Sequence, residues 1–119
     1  MEPAFIDDIR SRLNRIQGEL DTATTILGNA QEQVDAAEQA YDREKVIESS
    51  QLTKDQLTNH VRELDRLWLE MRRARDIRDA ALRRKSNRFT AYCRAFDDLV
   101  RAQSAMRSTE LLKPAGESC

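Results

Sequence analysis

The sequence predicts an all-α protein whose main element is a long antiparallel helical hairpin or coiled coil. Composition is the first reason: of 119 residues, 34% are charged, and only three are Gly and two are Pro. Folds with many tight connections, such as β-sandwiches and parallel α/β sheets, need more turn-forming residues than this. Because only 39% of the chain is hydrophobic and 5% aromatic, we expect burial along helix stripes rather than in a deep core.

The first half of the chain carries an unbroken apolar stripe, which is the second reason. Alternating steps of three and four residues meet Ile6, Ile9, Leu13, Ile16, Leu20, Ala23, Leu27, Ala30, Val34, Ala37 and Tyr41. This spacing over five heptads predicts a helix at about 4–48 that packs against another helix. Small residues at one heptad position favour a closely approaching neighbour. We call this kind of line a seam and expect it to form the main helix interface.

The seam ends in a polar stretch, and a new one begins out of phase after a connection at about 49–52. Thr53 and Gln56 have the spacing of a capping box, which predicts a second helix at about 53–112. We favour a hairpin, while one continuous helix that pairs between chains is the alternative. A break near Ser86 would give a third C-terminal helix and a three-helix bundle. The predicted domain is 1–113, with a short tail at 114–119.

The second seam is expected to complete the interface through Leu57, Val61, Leu64, Trp68 and Met71. At the same spacing it then meets three basic residues, so the apolar stripe is expected to drift around the helix there. Beyond them lies an aromatic patch formed by Phe89, Tyr92, Phe96 and Leu99. Since buried aromatic residues dominate the energetics of many interfaces, this patch is suited to anchoring another chain.

Charge is distributed unevenly along a chain whose net charge is only −1. Residues 1–48 hold eleven acidic and five basic residues, a net charge of −6. Residues 72–88 have a net charge of +6, because eight basic residues stand against Asp76 and Asp79. We call the eight the basic run: Arg72, Arg73, Arg75, Arg78, Arg83, Arg84, Lys85 and Arg88. With a turn near residue 50, this run would lie opposite about 14–30, which offer only Glu19 and Asp21 as acids. The sequence therefore leaves three candidate partners for the basic run: an acidic surface on a second subunit, a phosphate backbone or an anionic membrane face.

The spacing of residues 57–82 resembles the last helix of a spectrin-type repeat. That helix carries apolar residues eleven, seven and four positions before a Trp, an apolar residue three after it, and then a basic residue and a Leu. The matching residues here are Leu57, Val61, Leu64, Trp68, Met71, Arg78 and Leu82. The chain departs from the family in residues 4–48, which form one predicted helix without a second Trp. The resemblance implies a rod-like, non-enzymatic spacer or docking module of cytoskeletal or scaffold assemblies.

No residue pattern predicts catalysis, and we expect no enzyme, cofactor or metal. His60 is the single histidine, so one chain offers no imidazole pair, and we expect it at the surface or in a cap. Cys93 is expected to be a small buried or half-buried apolar residue rather than a nucleophile, and Cys93 with Cys119 forms no disulfide framework.

The predicted function follows from the seams. We expect a cytoplasmic structural, scaffold or adaptor protein that assembles with itself or with partner chains, because no signal peptide or membrane span is seen. The alternative is binding of nucleic acid or another polyanion through the basic run.

Overall fold

The structure, a computed structural model, describes residues 3–111. In this part of the chain, helix α1 covers Ala4–Lys45, a 3₁₀ turn covers Ser49–Gln51, and helix α2 covers Lys54–Leu111. The described residues form no strand, and the two helices make an all-α hairpin, which confirms the predicted fold class. The predicted tail at 114–119 and the Cys119 thiol lie outside the described residues.

Helix α1 begins where Pro3 supplies the first carbonyl, which accepts hydrogen bonds from the backbone N–H groups of Ile6 and Asp7. It ends at Lys45, three residues before the predicted end. The sequence offers no Gly to cap this end. Instead, the backbone N–H groups of Val46 and Ile47 donate to carbonyls of the last helical turn. The connection therefore starts earlier than the polar break alone suggests.

Helix α2 begins with the predicted capping box, which the structure confirms. The Thr53 backbone N–H donates to Gln56 Oε1 at 3.0 Å, and the Gln56 N–H donates to Thr53 Oγ1 at 3.2 Å. The helix then runs without a break past Ser86, whose carbonyl accepts from the Thr90 hydroxyl. The described chain thus has two long helices, and the variant with a third helix is not what forms.

The chain divides into two compact units. The hairpin unit comprises residues 23–85, and the terminal unit comprises, among the described residues, 3–22 and 86–111. In the hairpin unit the fully or nearly buried apolar residues are Ala23, Ala30, Val34, Leu67, Met71 and Ala81. In the terminal unit they are Ile6, Ile16 and Ala95. All eleven residues of the α1 seam are buried or half-buried.

The face that α2 buries differs from the seam expected for it. In the hairpin unit this face contains His60, Leu64, Leu67, Met71, Ala74, Arg78, Ala81 and Lys85. Leu57, Val61 and Trp68, which we expected on it, are exposed, so only Leu64 and Met71 of the expected set lie in the intramolecular seam. The expected line would next bury Arg75, whereas the observed line continues with small Ala74. The observed arrangement leaves the Arg75 guanidinium in contact with water and so avoids the free-energy penalty of desolvating it.

Candidate interaction surfaces

Four large apolar side chains of α2 form a line on the surface of the hairpin unit. Leu57 is 39% exposed, Val61 50%, Trp68 42% and Leu82 48%. Residues seven apart lie on the same helix face, so Val61, Trp68 and Leu82 share one flank of the seam. We call these four residues the outer stripe. The Arg72 guanidinium lies 5.3 Å from the Trp68 ring centroid, a cation–π contact that covers part of the ring.

An acidic edge of α1 accompanies the outer stripe. Arg75, in line with Trp68 and Leu82, donates to Glu38 Oε1 at 2.9 Å from Nη2 and at 3.1 Å from Nε. Glu38 therefore marks the side of α1 that borders the stripe. Asp35 and Asp42 lie three residues before and four after it, so they share this side, and both are exposed. We call Asp35, Glu38 and Asp42 the acidic edge.

The basic run is neutralised only in part. Arg75 pairs with Glu38, Arg78 with Asp79 at 3.1 Å, and in the terminal unit Arg88 with Glu19 at 3.3 Å. Arg72 lies against the Trp68 ring. The four remaining members of the basic run contact no acidic side chain among the described residues, and they are Arg73, Arg83, Arg84 and Lys85.

The pairing of Arg75 corrects the expected register. The expected register set the basic run opposite about 14–30, whereas Arg75 contacts Glu38, which lies outside that range. Near the connection, Glu44 in the last turn of α1 contacts His60 in the second turn of α2. Arg75 therefore contacts an α1 residue closer to the connection than a simple turn at residue 50 implies.

The opposite flank of α2 carries a different chemistry. Ile77 is 56% exposed and lies nine residues from Trp68, which is about half a turn around the helix axis. Arg73 and Arg84, also exposed, lie on the same side as Ile77 by the same count. We call Arg73, Ile77 and Arg84 the basic face. The two flanks of the hairpin unit thus differ: one is apolar with an acidic edge, and the other is basic around a single isoleucine.

His60 is buried in the seam, at 8% exposure, so the expectation of a surface or capping role is wrong. Its Nδ1 lies 2.7 Å from Glu44 Oε1, which satisfies the only buried polar side chain among the described residues. Both residues line an open cleft beside Ile47 and Leu52. The cleft combines one imidazole with carboxylates, and we assign no reaction to it.

Glu63, at the rim of that cleft, contacts Arg66, which also binds Glu70 at 2.6 Å. The hydrogen bond from Arg66 holds the pKa of the Glu63 carboxyl below its ordinary value, and the same bond raises the pKa of Arg66. These side chains are exposed to solvent, so the triad is a surface feature of modest energetic weight.

The aromatic patch of the terminal unit divides between two environments. Phe89 and Phe96 are 55% and 46% exposed, whereas Tyr92 and Leu99 are half-buried. The rings of Tyr92 and Phe96 stack with centroids 6.4 Å apart. Cys93 beside them is a free, exposed thiol rather than the buried or half-buried residue we expected.

Comparisons with known proteins add no relative. The chain matches no protein-family model, no curated protein and no solved structure. The spectrin-type resemblance of residues 57–82 therefore stays a prediction. Within residues 3–111, no group of His, Cys, Asp or Glu is arranged to hold a metal ion, and no helix combines the length and apolarity needed to cross a membrane.

Sequence reasoning missed the acidic edge and the basic face, which exist only once the pairing register is known. One signal for them was present in the sequence. Leu67, Ala74 and Ala81 repeat every seven residues beside Leu64 and Met71, and they mark the line that α2 buries. Had that line been preferred, Val61, Trp68 and Leu82 would have been predicted as a second, outward stripe.

Proposed function

We propose that this chain is a non-enzymatic structural protein, a scaffold or adaptor that assembles by packing a further helix against the outer stripe. The observation that carries this proposal is the exposure of Val61, Trp68 and Leu82 on one flank of a seam that is already filled. A hairpin with no further partner would be expected to carry polar residues at these positions.

The arrangement suits a helical partner. Val61 and Trp68 are seven positions apart, and Leu82 follows in the same line after Arg75. A second helix can pack along such a line over several turns. With Leu57 the stripe exposes on the order of 300 Å² of apolar surface, the size at which surface patches on monomers are often functional. The acidic edge and Arg72 would supply a polar rim around this apolar centre.

A matched pair of variants tests the proposal. Leu82→Gln changes the outer stripe, while Leu69→Gln makes the same chemical change at a side chain that is 49% exposed but lies on another face of α2. We expect Leu82→Gln to lower the light-scattering mass of concentrated protein, or the yield of partner chains bound from the source cell. Leu69→Gln should behave as wild type, and circular dichroism should show both variants folded. Equal behaviour of the two variants in both assays would contradict the proposal.

Polyanion binding is a second candidate function, favoured by the four residues of the basic run that contact no acidic side chain within residues 3–111. Arginine forks pair well with phosphate oxygens, and such binding weakens steeply with salt. We would titrate fluorescent DNA and RNA duplexes and single strands at about 50 mM and 150 mM salt. Binding that persists at the higher salt and is lost in Arg83→Glu/Arg84→Glu would support this candidate. No binding at the higher salt would reject it.

A further inference from the structure

We propose that the outer stripe and acidic edge of one copy of this chain pack against the basic face of a second copy. This inference rests on the proposed assembly function and names the partner. All the residues involved lie in the hairpin unit, so the argument concerns that unit alone.

The two flanks of the hairpin unit differ in a complementary way. Trp68 and Leu82 provide a broad apolar ridge on one flank. Ile77, about half a turn away, is 56% exposed on the other flank. Ile26 of α1, which is 44% exposed, lies on the flank of the α1 seam away from Glu38 and extends that apolar surface. If Trp68 and Leu82 of one copy pack against Ile77 and Ile26 of another, the charged side chains beside them lie at the margins of the contact.

The charges at those margins have opposite signs. On the acidic edge, Glu38 is bound by Arg75, and Asp35 and Asp42 remain exposed. On the basic face, Arg73 and Arg84 have no acidic partner among the described residues. The two aspartates are seven residues apart, about 10 Å along α1, and the two arginines are eleven apart, about 16 Å along α2. Long arginine side chains bridge that difference, so both pairs can form across one contact.

Pairing of two different surfaces has a consequence for the size of the assembly. Each copy uses its outer stripe on one neighbour and keeps its basic face free for another. Such head-to-tail contacts continue into a ring or an open row of copies, and they do not stop at a two-fold dimer. The net charge of −1 adds little repulsion between copies.

Charge reversal on each side, followed by mixing, tests the inference. One variant is Asp35→Lys/Asp42→Lys and the other is Arg73→Glu/Arg84→Glu, all at exposed positions. We expect each variant alone to associate at least tenfold more weakly than wild type in sedimentation velocity. An equimolar mixture should regain the wild-type mass distribution, because reversed surfaces match each other. Arg94→Glu/Arg101→Glu, two exposed arginines of the terminal unit, is the charge-matched control and should associate as wild type does.

The outcomes separate this inference from the function on which it rests. If the mixture fails to recover while Leu82→Gln still lowers the wild-type mass, the outer stripe binds a different surface and the inference falls alone. The same holds if the wild-type mass stops at a dimer. If wild type remains at the 13.7 kDa of a single chain at every concentration, self-association is overturned, and partner capture then decides the proposed function. Circular dichroism of each variant, with Asp35→Asn/Asp42→Asn as a milder alternative, shows that the compared chains are folded.

Discussion

The intramolecular seam can be tested by shortening one buried side chain on α1. Val34 is 0% exposed and lies on the α1 side of the hairpin unit. Val34→Ala removes two methyl groups, each worth about 0.8 kcal/mol of burial. The cavity left behind adds to this loss, since a packed interior relaxes only in part. We therefore expect the free energy of unfolding to fall by about 2 kcal/mol.

Val46→Ala is the matched control, because it makes the same change in a side chain that is 77% exposed. Surface substitutions of this kind usually stay within about 0.5 kcal/mol. Urea unfolding followed by circular dichroism, at a protein concentration where the chain is monomeric, measures both. With a slope of about 1–3 kcal/mol per molar urea, Val34→Ala should lower the midpoint by about 1 M. Equal midpoints for the two variants would refute the assignment of Val34 to the seam.

Three further changes have expected outcomes in the same urea assay. Thr53→Ala should cost about 1 kcal/mol because it removes the capping hydroxyl of α2. Thr58→Ala, inside the helix, should be neutral or slightly stabilising, and the same loss at both positions would argue against the cap. Glu44→Ala should cost about 1–3 kcal/mol by leaving buried His60 unsatisfied. The double variant Glu44→Ala/His60→Leu should recover part of the lost free energy of unfolding. If the losses of the two single changes simply add, the Glu44–His60 contact is contradicted. Gly28→Ala should stabilise α1 by about 1 kcal/mol, since a methyl group there meets open space, and a loss of stability would show a hidden contact.

The sequence predicted the elements of this protein well because their signals are local. The α1 seam from Ile6 to Tyr41 repeats without an error, and one residue pair, Thr53 and Gln56, sets the start of α2. The helix ends were less accurate. Helix α1 stops at Lys45 because carbonyls of its last turn are satisfied by the connection, a detail that no apolar pattern encodes.

The interface of α2 was predicted less well because its sequence supports two apolar lines that share Leu64 and Met71. One line contains Val61, Trp68 and Leu82, and the other contains Leu67, Ala74 and Ala81. Periodicity alone ranks the line with larger residues first. The hairpin buries the line with alanines and keeps Arg75 at the surface, where its guanidinium contacts Glu38.

The sequence by itself therefore determined a charged, turn-poor chain of two long helices joined by one short connection. The tertiary structure decided which face of α2 is buried, and with it which charges meet. It paired Arg75 with Glu38 and His60 with Glu44, and it left Arg73 and Arg84 without an acidic partner among the described residues. The physical reason is that helix periodicity is a property of one segment, whereas register depends on how two segments pack. The packing of the two helices therefore decides which charged residues lie on each flank of the hairpin unit, although the net charge of the chain is close to zero.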